Sequence, residues 1–402
     1  MIHGSATAWD GVTRSLILIP HLKHSYGDKL TKLWLDHPDR RTVNLKDVVF
    51  DPAGDPADAR RVNLFQGMPL KPDADKACER IVELVHYLCN DDDKVTDWVM
   101  KWAALPLKRV GAKLDTAVVM HGEEGTGKNM FWTRVVRQIY GSYGAVVTQD
   151  ELENPFNSWA SHKLFLIGNE VVAPHEMRHL KGKLKNYITE PDIPINEKFL
   201  PFREEANHMN IVFLSNELRP VPADPRDRRY MIIRTPEPRE AAFYKAVGDE
   251  IAAGGVAGFY AYLLAYDLGD FDEHTKPLPT RARADVIFLG LPAPQRFYID
   301  WSEEQLPIPY CSCSLEQLFE AFRIWCVGAG ERNPLPQHIF SAEIARKLTR
   351  EQRTWVADPA RGRRQTTMFL VGECPNDYTQ EKWLGLKMGE FNGGLRSMKE
   401  RE

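Results

Sequence analysis

The chain is predicted to be an α/β protein built on a mainly parallel sheet with helices on its faces. Three observations carry that prediction. A β-branched apolar run ends in a glycine-rich turn over residues 116–129. Apolar strands then alternate with helical segments as far as residue 234, the pattern of a sheet wound by crossovers. Beyond Pro294 the composition shifts to two helical segments and a hairpin with a basic tip, which describes a winged helix.

Composition bounds the rest. A chain of 402 residues, 43% hydrophobic and 27% charged, exceeds one ordinary domain and belongs to the globular class. Lys and Arg number 52 against 56 Asp and Glu, a net charge of −4, so any nucleic-acid surface must be a local patch. No apolar run approaches the roughly 18 residues of a membrane span, and the N-terminus lacks a signal-like apolar segment. A cytoplasmic protein without a membrane partner is expected. Cys311 and Cys313 stand too close for a zinc knuckle, and Cys78, Cys89, Cys326 and Cys374 lack paired ligands, which fits reduced thiols.

In chain order, residues 1–70 read as a small irregular segment, with short apolar runs at 15–20 and 48–52 separated by polar, turn-rich sequence at 32–41. Residues 71–110 read as a helical collar. Cys78, Ile81, Leu84, Val85 and Leu88 have the spacing of an amphipathic helix over 72–90, and Trp98, Val99 and Trp102 mark a second over 96–105. The intervening acidic triplet, 91–93, reads as a solvated loop because no fourth ligand is near.

Residues 111–290 form the expected core. Gly122, Gly125 and Gly127 can take the positive φ angles that let successive amides converge on phosphate, with Thr126 between them. Lys128 would supply the point charge for β and γ phosphates, and a helix over 130–140 would add its dipole. The match to G-x-x-x-x-G-K-[ST] is incomplete, because Asn129 stands where a hydroxyl would meet Mg²⁺. A glycine-rich turn that serves only the fold is the competing reading. Strands are expected at 145–148, 163–168, 210–215 and 230–234.

The strand at 163–168 leads into Asn169 and Glu170. Glu170 is the candidate for polarising the attacking water, and Asn169 stands where Asp normally helps hold Mg²⁺; an ordinary strand-end carboxylate is the alternative. The next strand ends at Asn216, which could reach a γ-phosphate or the lytic water. Arg228 and Arg229 precede the fifth strand and could project to a neighbouring subunit's γ-phosphate, or could simply pair with Asp224 and Asp227.

This order of motifs (glycine-rich cradle, Asn169-Glu170, a basic segment, Asn216, then Arg228-Arg229) resembles the superfamily 3 helicases of the AAA+ class, and within them the helicase half of phage and plasmid primase-helicases. Residues 63–106 resemble that family's collar and residues 260–280 its closing helical segment, about 230 residues in all, whereas no segment resembles its primase half. The resemblance implies an AAA+-like P-loop core, ATP and Mg²⁺ as cofactors, and a homo-oligomeric ring, a hexamer in the family. It also implies that Lys198 and Phe199 sit at the tip of a hairpin that grips single-stranded DNA in the ring's pore. The bland alternative is a solvated lysine run with Phe199 and Phe202 in the core.

Residues 291–380 are the expected winged-helix-like domain. Ser314 and Gln317 form a capping box for a helix through Leu315, Leu318, Phe319, Phe322 and Trp325, a helix follows at 341–349, and strands at 354–357 and 366–371 flank the basic turn. Arg361, Arg363 and Arg364, with Arg346, Lys347, Arg350 and Arg353, would form a DNA-binding patch; a protein-binding wing competes. Residues 381–402 read as a loosely ordered tail. The function expected is an ATP-dependent DNA helicase of phage or plasmid replication that moves on single-stranded or forked DNA, served by a separate primase. The alternative is an ATP-binding initiator or loader with weak hydrolysis.

Overall fold

The computed structural model describes residues 1–3, 5–10, 12, 15–54, 61–170, 178–198, 202–331, 333–358 and 361–400. The chain divides into two compact units, Met1–Ile287 and Phe288–Glu402.

The first unit opens with β1 (Ile2–His3), an antiparallel hairpin of β2 (Thr7–Asp10) and β3 (Ser15–Leu18), and two short helices, α1 (Ile19–Tyr26) and α2 (Asp28–Asp36), split by Gly27 at φ 81°. Then come β4 (Val43–Asn44), parallel to β1, and the parallel pair β5 (Val48–Val49) and β6 (Val62–Asn63). The helices replace the irregular segment expected here. Their signal is weak because α1 buries no residue and α2 buries only Thr31, so neither carries a core-facing stripe.

The collar is α3 (Glu79–Leu88) and α4 (Asp93–Lys108). Both bury the apolar positions their periodicity marked, including Ile81, Leu84, Leu88, Trp98 and Trp102, except Cys78, which stands at the N-cap of α3 and is half-buried. α3 begins well after residue 72. Its first-turn amides, on Arg80 and Ile81, are capped by the Glu250 carboxylate at 3.1 and 2.9 Å, a partner remote in sequence. The acidic triplet has more than a solvated role. Asp92 caps α4 through the amides of Lys94 and Val95, while Asp91 and Asp93 hold the two ring nitrogens of His86 at 3.0 and 3.1 Å.

The core runs β7 (Ala117–His121), α5 (Lys128–Phe131), a π turn (Trp132–Val136), α6 (Arg137–Tyr140), β8 (Gly144–Val147), α7 (Gln149–Glu153), β9 (Phe165–Asn169), α8 (Arg178–Thr189), the hairpin β10 (Asp192–Ile195) and β11 (Arg203–Ala206), β12 (Asn210–Ser215) and β13 (Tyr230–Arg234). The expected strands all form. The sheet has five parallel strands in the order β13-β7-β12-β9-β8, so the cradle strand is internal and every crossover must climb a face. Side chains alternate across it. Val118 and Met120 join the collar, Phe131 and Trp132 on one face, whereas Ala117 and Val119 join Leu184, Ile188 and Ile193 on the other. Lys113 is half-buried and donates to the carbonyls of Tyr187 and Met209, and desolvation lowers its ammonium to about 7. The chain closes over the collar face with α9 (Ala241–Glu250), a π turn (Ile251–Gly255) and α10 (Val256–Ala265), before α11 (Arg281–Gly290).

The second unit contains α12 (Ala293–Ser302), β14 (Cys313–Ser314), α13 (Leu315–Gly328), α14 (Gln337–Ile344), β15 (Thr349–Asp358), β16 (Gly362–Leu370) and α15 (Gln380–Lys399). Its sheet is antiparallel in the order β14-β16-β15. The Ser314–Gln317 capping box forms as expected. The helix expected at 341–349 lies earlier, at Gln337–Ile344, because Thr349 and Arg350 already pair with Leu370 and Phe369 in the sheet. The segment beyond 381 is no loose tail. It is a 20-residue helix whose Phe391, Leu395 and Met398 enter the core with Phe297, Trp301 and Phe322, while Trp383, Leu384 and Met388 form a second cluster with Val356 and Met368. Gly385 lets it approach β15 so closely that a Cβ there would press into the Ala357 carbonyl. All six cysteines are free thiols. Among the described residues no helix is long and apolar enough to cross a membrane.

Candidate functional site

The C-terminal edge of the parallel sheet collects the polar residues that the apolar strands cannot absorb. Where β7 ends, Gly122, Gly125 and Gly127 take φ angles of 143°, 80° and 94° and turn the chain into α5. Side chains are excluded at two of these positions. A Cβ on Gly122 would collide with Thr235 Oγ1, and one on Gly127 would meet Leu84 Cδ1 at 3.0 Å and Tyr244 Cε1 at 3.1 Å. Thr235 thus backs the cradle, donating to the His121 carbonyl and lying 3.4 Å from the buried Thr126 hydroxyl. Thr235 follows Arg234, the register partner of His121, so its part depends on a strand order that the sequence does not display.

Lys128 opens α5 and is 6% exposed. Its Nζ donates to the carbonyls of Gly122 and Glu123 at 2.8 and 2.7 Å, so the ammonium bridges the mouth of its own loop. Burial lowers its pKa, and Glu124 opposes that shift. Asn129, the next residue, is exposed.

The neighbouring strands bring the other candidates to the same edge. Ser215 pairs with His121, and Gly122 N–H donates to the Ser215 carbonyl, so Asn216 emerges beside the cradle. Its Nδ2 lies 3.3 Å from Glu124 Oε1 in the cradle loop. One strand further, Asn169 pairs with Leu214, and Glu170 N–H donates to the same Leu214 carbonyl at 2.8 Å. The ends of β7 and β9 are therefore two strand spacings apart, about 10 Å. Glu170 is exposed and sits at φ 54°. A left-handed backbone at a non-glycine residue costs on the order of 1 kcal/mol or more and concentrates at functional positions.

The arginine pair lies elsewhere. Tyr230 pairs with Ala117, and Ala117 N–H donates to the Arg229 carbonyl, so Arg228 and Arg229 stand at the N-terminal edge of the sheet, opposite the cradle. Four steps of strand, about 13 Å, separate the two edges. Arg229 reaches Asp227 at 3.4 Å. Asp227 is buried, takes Lys185 at 3.6 Å, and its carbonyl accepts from Arg283. Arg228 is exposed and makes no ion pair among the described residues.

Lys198 is exposed in the turn beyond β10, and Phe199 lies outside the described residues. The structure does not put Phe202 in the core; it is 65% exposed, just before β11. The hairpin base is tied to the loop before β9, where Arg203 binds Glu197 and Glu205, and Glu205 accepts from Ser161. In the second unit Arg361, Arg363 and Arg364, near the β15–β16 turn, each have an acidic partner. Arg361 and Arg364 face Glu316, Arg364 also binds Asp358 at 2.8 Å, and Arg363 binds Glu381 while stacking over Trp355. The basic tip is locally neutralised, which sequence reading could not see because Glu316 lies 45 and 48 residues from its partners.

Comparison with known proteins gives the same region weight. Residues 120–229, from the end of β7 to the arginine pair, match a family described as "Family of unknown function (DUF5906)". The chain is 29% identical over 178 residues to a protein of Nitratiruptor phage NrS-1 named "DNA Primase-polymerase"; the match takes 43% of this chain and spans only 24% of that protein. The apo structure of the NrS-1 C-terminal region, residues 305–718, superposes with a TM-score of 0.62 at 18% identity over 89% of this chain and 91% of that one. A second apo form of the region gives 0.61 at 19% identity over 89% and 92%. The chain thus has the fold of that C-terminal region and sequence similarity to a phage replication protein.

Proposed function

We propose that this chain is a nucleoside-triphosphate-driven DNA motor of phage replication, an ATP-dependent helicase with an AAA+-like P-loop core and a winged-helix domain. One observation carries the reading: the cradle lysine, Asn216 and the Asn169-Glu170 pair converge on one edge of a parallel sheet, while Arg228 stands exposed on the other. In this reading Gly122, Gly125, Thr126, Gly127 and Lys128 hold the phosphates, Glu170 polarises water, and Asn216 orients it or the terminal phosphate. Arg228 or Arg229 acts on the site of the next subunit in a ring, a hexamer by resemblance.

The donor set fits Mg²⁺ held chiefly by phosphate and water, since Asn129 and Asn169 offer neutral amide oxygens and Glu170 a single carboxylate. Among the described residues, groups of three His, Cys, Asp or Glu side chains that could hold a metal by themselves are absent. The strand order β13-β7-β12-β9-β8, with the cradle strand inside, supports the P-loop core, and the order β14-β16-β15 behind α13 and α14 supports the winged domain. Lys198 and Phe199 on the β10–β11 hairpin are proposed to grip single-stranded or forked DNA, and Arg361, Arg363 and Arg364 to tether it, in the cytoplasm of the phage's host and beside a separate primase. The relation to a phage "DNA Primase-polymerase" supports the replication setting.

A second reading, an ATP-binding initiator or loader with scant hydrolysis, is favoured by one feature, the amides at both metal-proximal positions, 129 and 169. Measuring ATP turnover with and without single-stranded DNA separates the two. The motor requires DNA-stimulated turnover, and saturable ATP binding with no stimulation would overturn it in favour of the loader.

A further inference from the structure

The cradle loop carries two carboxylates, Glu123 and Glu124, at a place built to attract anions. They are not equivalent. Glu124 Oε1 takes the Asn216 side chain at 3.3 Å, whereas the Glu123 carboxylate makes no hydrogen bond or ion pair among the described residues and its carbonyl holds Lys128 instead. Glu124 is therefore fixed on the β12 side of the loop, toward the end where β9 delivers Glu170.

We infer that Glu124 is a specificity residue that discriminates against the terminal phosphate of a nucleoside triphosphate; the inference rests on the nucleotide reading above. The physical case is short. Phosphates anchored at the α5 N-terminus and on Lys128 extend across the edge of the sheet toward Asn216, because β12 is the strand that adjoins β7 on the side of Glu170. On that placement a triphosphate would bring toward Glu124 one further negative charge that a diphosphate lacks. Like charges a few ångströms apart repel by an amount worth about tenfold or more in affinity at a protein surface. To admit the third phosphate the Glu124–Asn216 contact must open, which also releases Asn216 to face the phosphate. The loop thus has a resting arrangement, with Lys128 on its own carbonyls and Asn216 on Glu124, that favours the empty or diphosphate-bound state.

The test is the ratio of ATP to ADP dissociation constants, measured by calorimetric titration with Mg²⁺ on the full chain and on Glu124→Gln and Glu123→Gln, with thermal melting to verify the fold of each. Glu124→Gln is expected to tighten ATP by about tenfold relative to ADP, and Glu123→Gln to shift the ratio by less than about twofold, a contrast set by the bond to Asn216. An unchanged ratio in Glu124→Gln, or an equal shift in both variants, overturns the inference while leaving nucleotide binding intact. If neither nucleotide binds any of the three proteins, the nucleotide reading falls, and this inference falls with it.

Discussion

Arg229 leans on Asp227, 3.4 Å away, in the loop that enters the fifth strand, at the edge of the sheet remote from Lys128. Its neighbour Arg228 has no such anchor among the described residues and is exposed. The two arginines, identical in the sequence, thus differ in physical role.

Arg228→Ala is expected to leave folding intact and to lower turnover by about 10³-fold or more, the scale of an arginine acting on transferred phosphate. Arg229→Ala should instead cost about 1–3 kcal/mol of stability by stripping a partner from a buried carboxylate. Mixing Arg228→Ala with Lys128→Ala subunits should restore part of the turnover, since each supplies what the other lacks. Activity that never exceeds the sum of the separate proteins, at any mixing ratio, would place Arg228 outside the neighbour's site.

At the cradle, Lys128→Ala should abolish ATP binding, while Glu170→Gln should bind ATP and lose turnover by about 10²-fold or more. Nucleotide titration beside phosphate release distinguishes them, and parental turnover in Glu170→Gln would remove its catalytic assignment.

The helix at the C-terminus offers a paired test of packing. A Cβ on Gly385 presses into the Ala357 carbonyl, whereas one on Gly393 meets nothing within 4 Å. Gly385→Ala should therefore destabilise by about 1–3 kcal/mol, and Gly393→Ala should stabilise by about 0.5–1 kcal/mol through helix propensity. Thermal melts with opposite shifts are the expected result.

His86 supplies a pH signature. Hydrogen bonds to Asp93 first, then Asp91, raise its pKa above the ordinary histidine value. A raised folded pKa means the unfolded chain binds fewer protons between the two values, so this contribution is complete below pH about 6.5 and is lost as pH rises through the folded pKa. The pair is partly exposed, which limits the effect to about 1 kcal/mol or less. Subtracting the stability–pH curve of His86→Gln from that of the parent should leave a difference that falls with rising pH; a flat difference would discount the clamp.

In the second unit, replacing Arg361, Arg363 and Arg364 together by Ala should weaken DNA binding and flatten its salt dependence, by up to about one counterion for each phosphate no longer neutralised, with basal ATPase intact. Because Glu316 faces two of them, Glu316→Gln should strengthen binding. Lys198→Ala should instead damage unwinding and DNA-stimulated turnover more than equilibrium binding. Loss of basal ATPase in the triple variant would end this division of labour.

Much of the core can be read from residue order. The five strands are β-branched and apolar runs with polar ends, and the glycine spacing before Lys128 announces the cradle. Strand order is not readable, since it depends on which crossover climbs which face, and with it go the Thr235 backing, the Asn216–Glu124 contact and the placing of the arginines at the far edge. The C-terminal helix is hard to read because Gly385, Gly389, Gly393 and Gly394 mask an otherwise regular apolar spacing. Two of those glycines, Gly385 against Ala357 and Gly394 against Pro307 and Ile308, are what permit the close packing. The charge of the β15–β16 hairpin misleads for the opposite reason: its arginines stand together in sequence, and their acidic partners Glu316 and Glu381 stand far from them.

That the cradle and Arg228 occupy opposite ends of one sheet has a consequence for symmetry. If Arg228 serves a neighbour's cradle, that contact joins unlike surfaces: a twofold pair can satisfy both cradles only by running antiparallel, whereas a head-to-tail pair leaves one cradle and one arginine unused. Such a head-to-tail contact must either continue as a filament or close about a rotation axis. Only closure gives every cradle its arginine. An open head-to-tail chain of any length keeps one site short of it, so in the proposed ring full competence would be defined by closure rather than by a particular number of subunits.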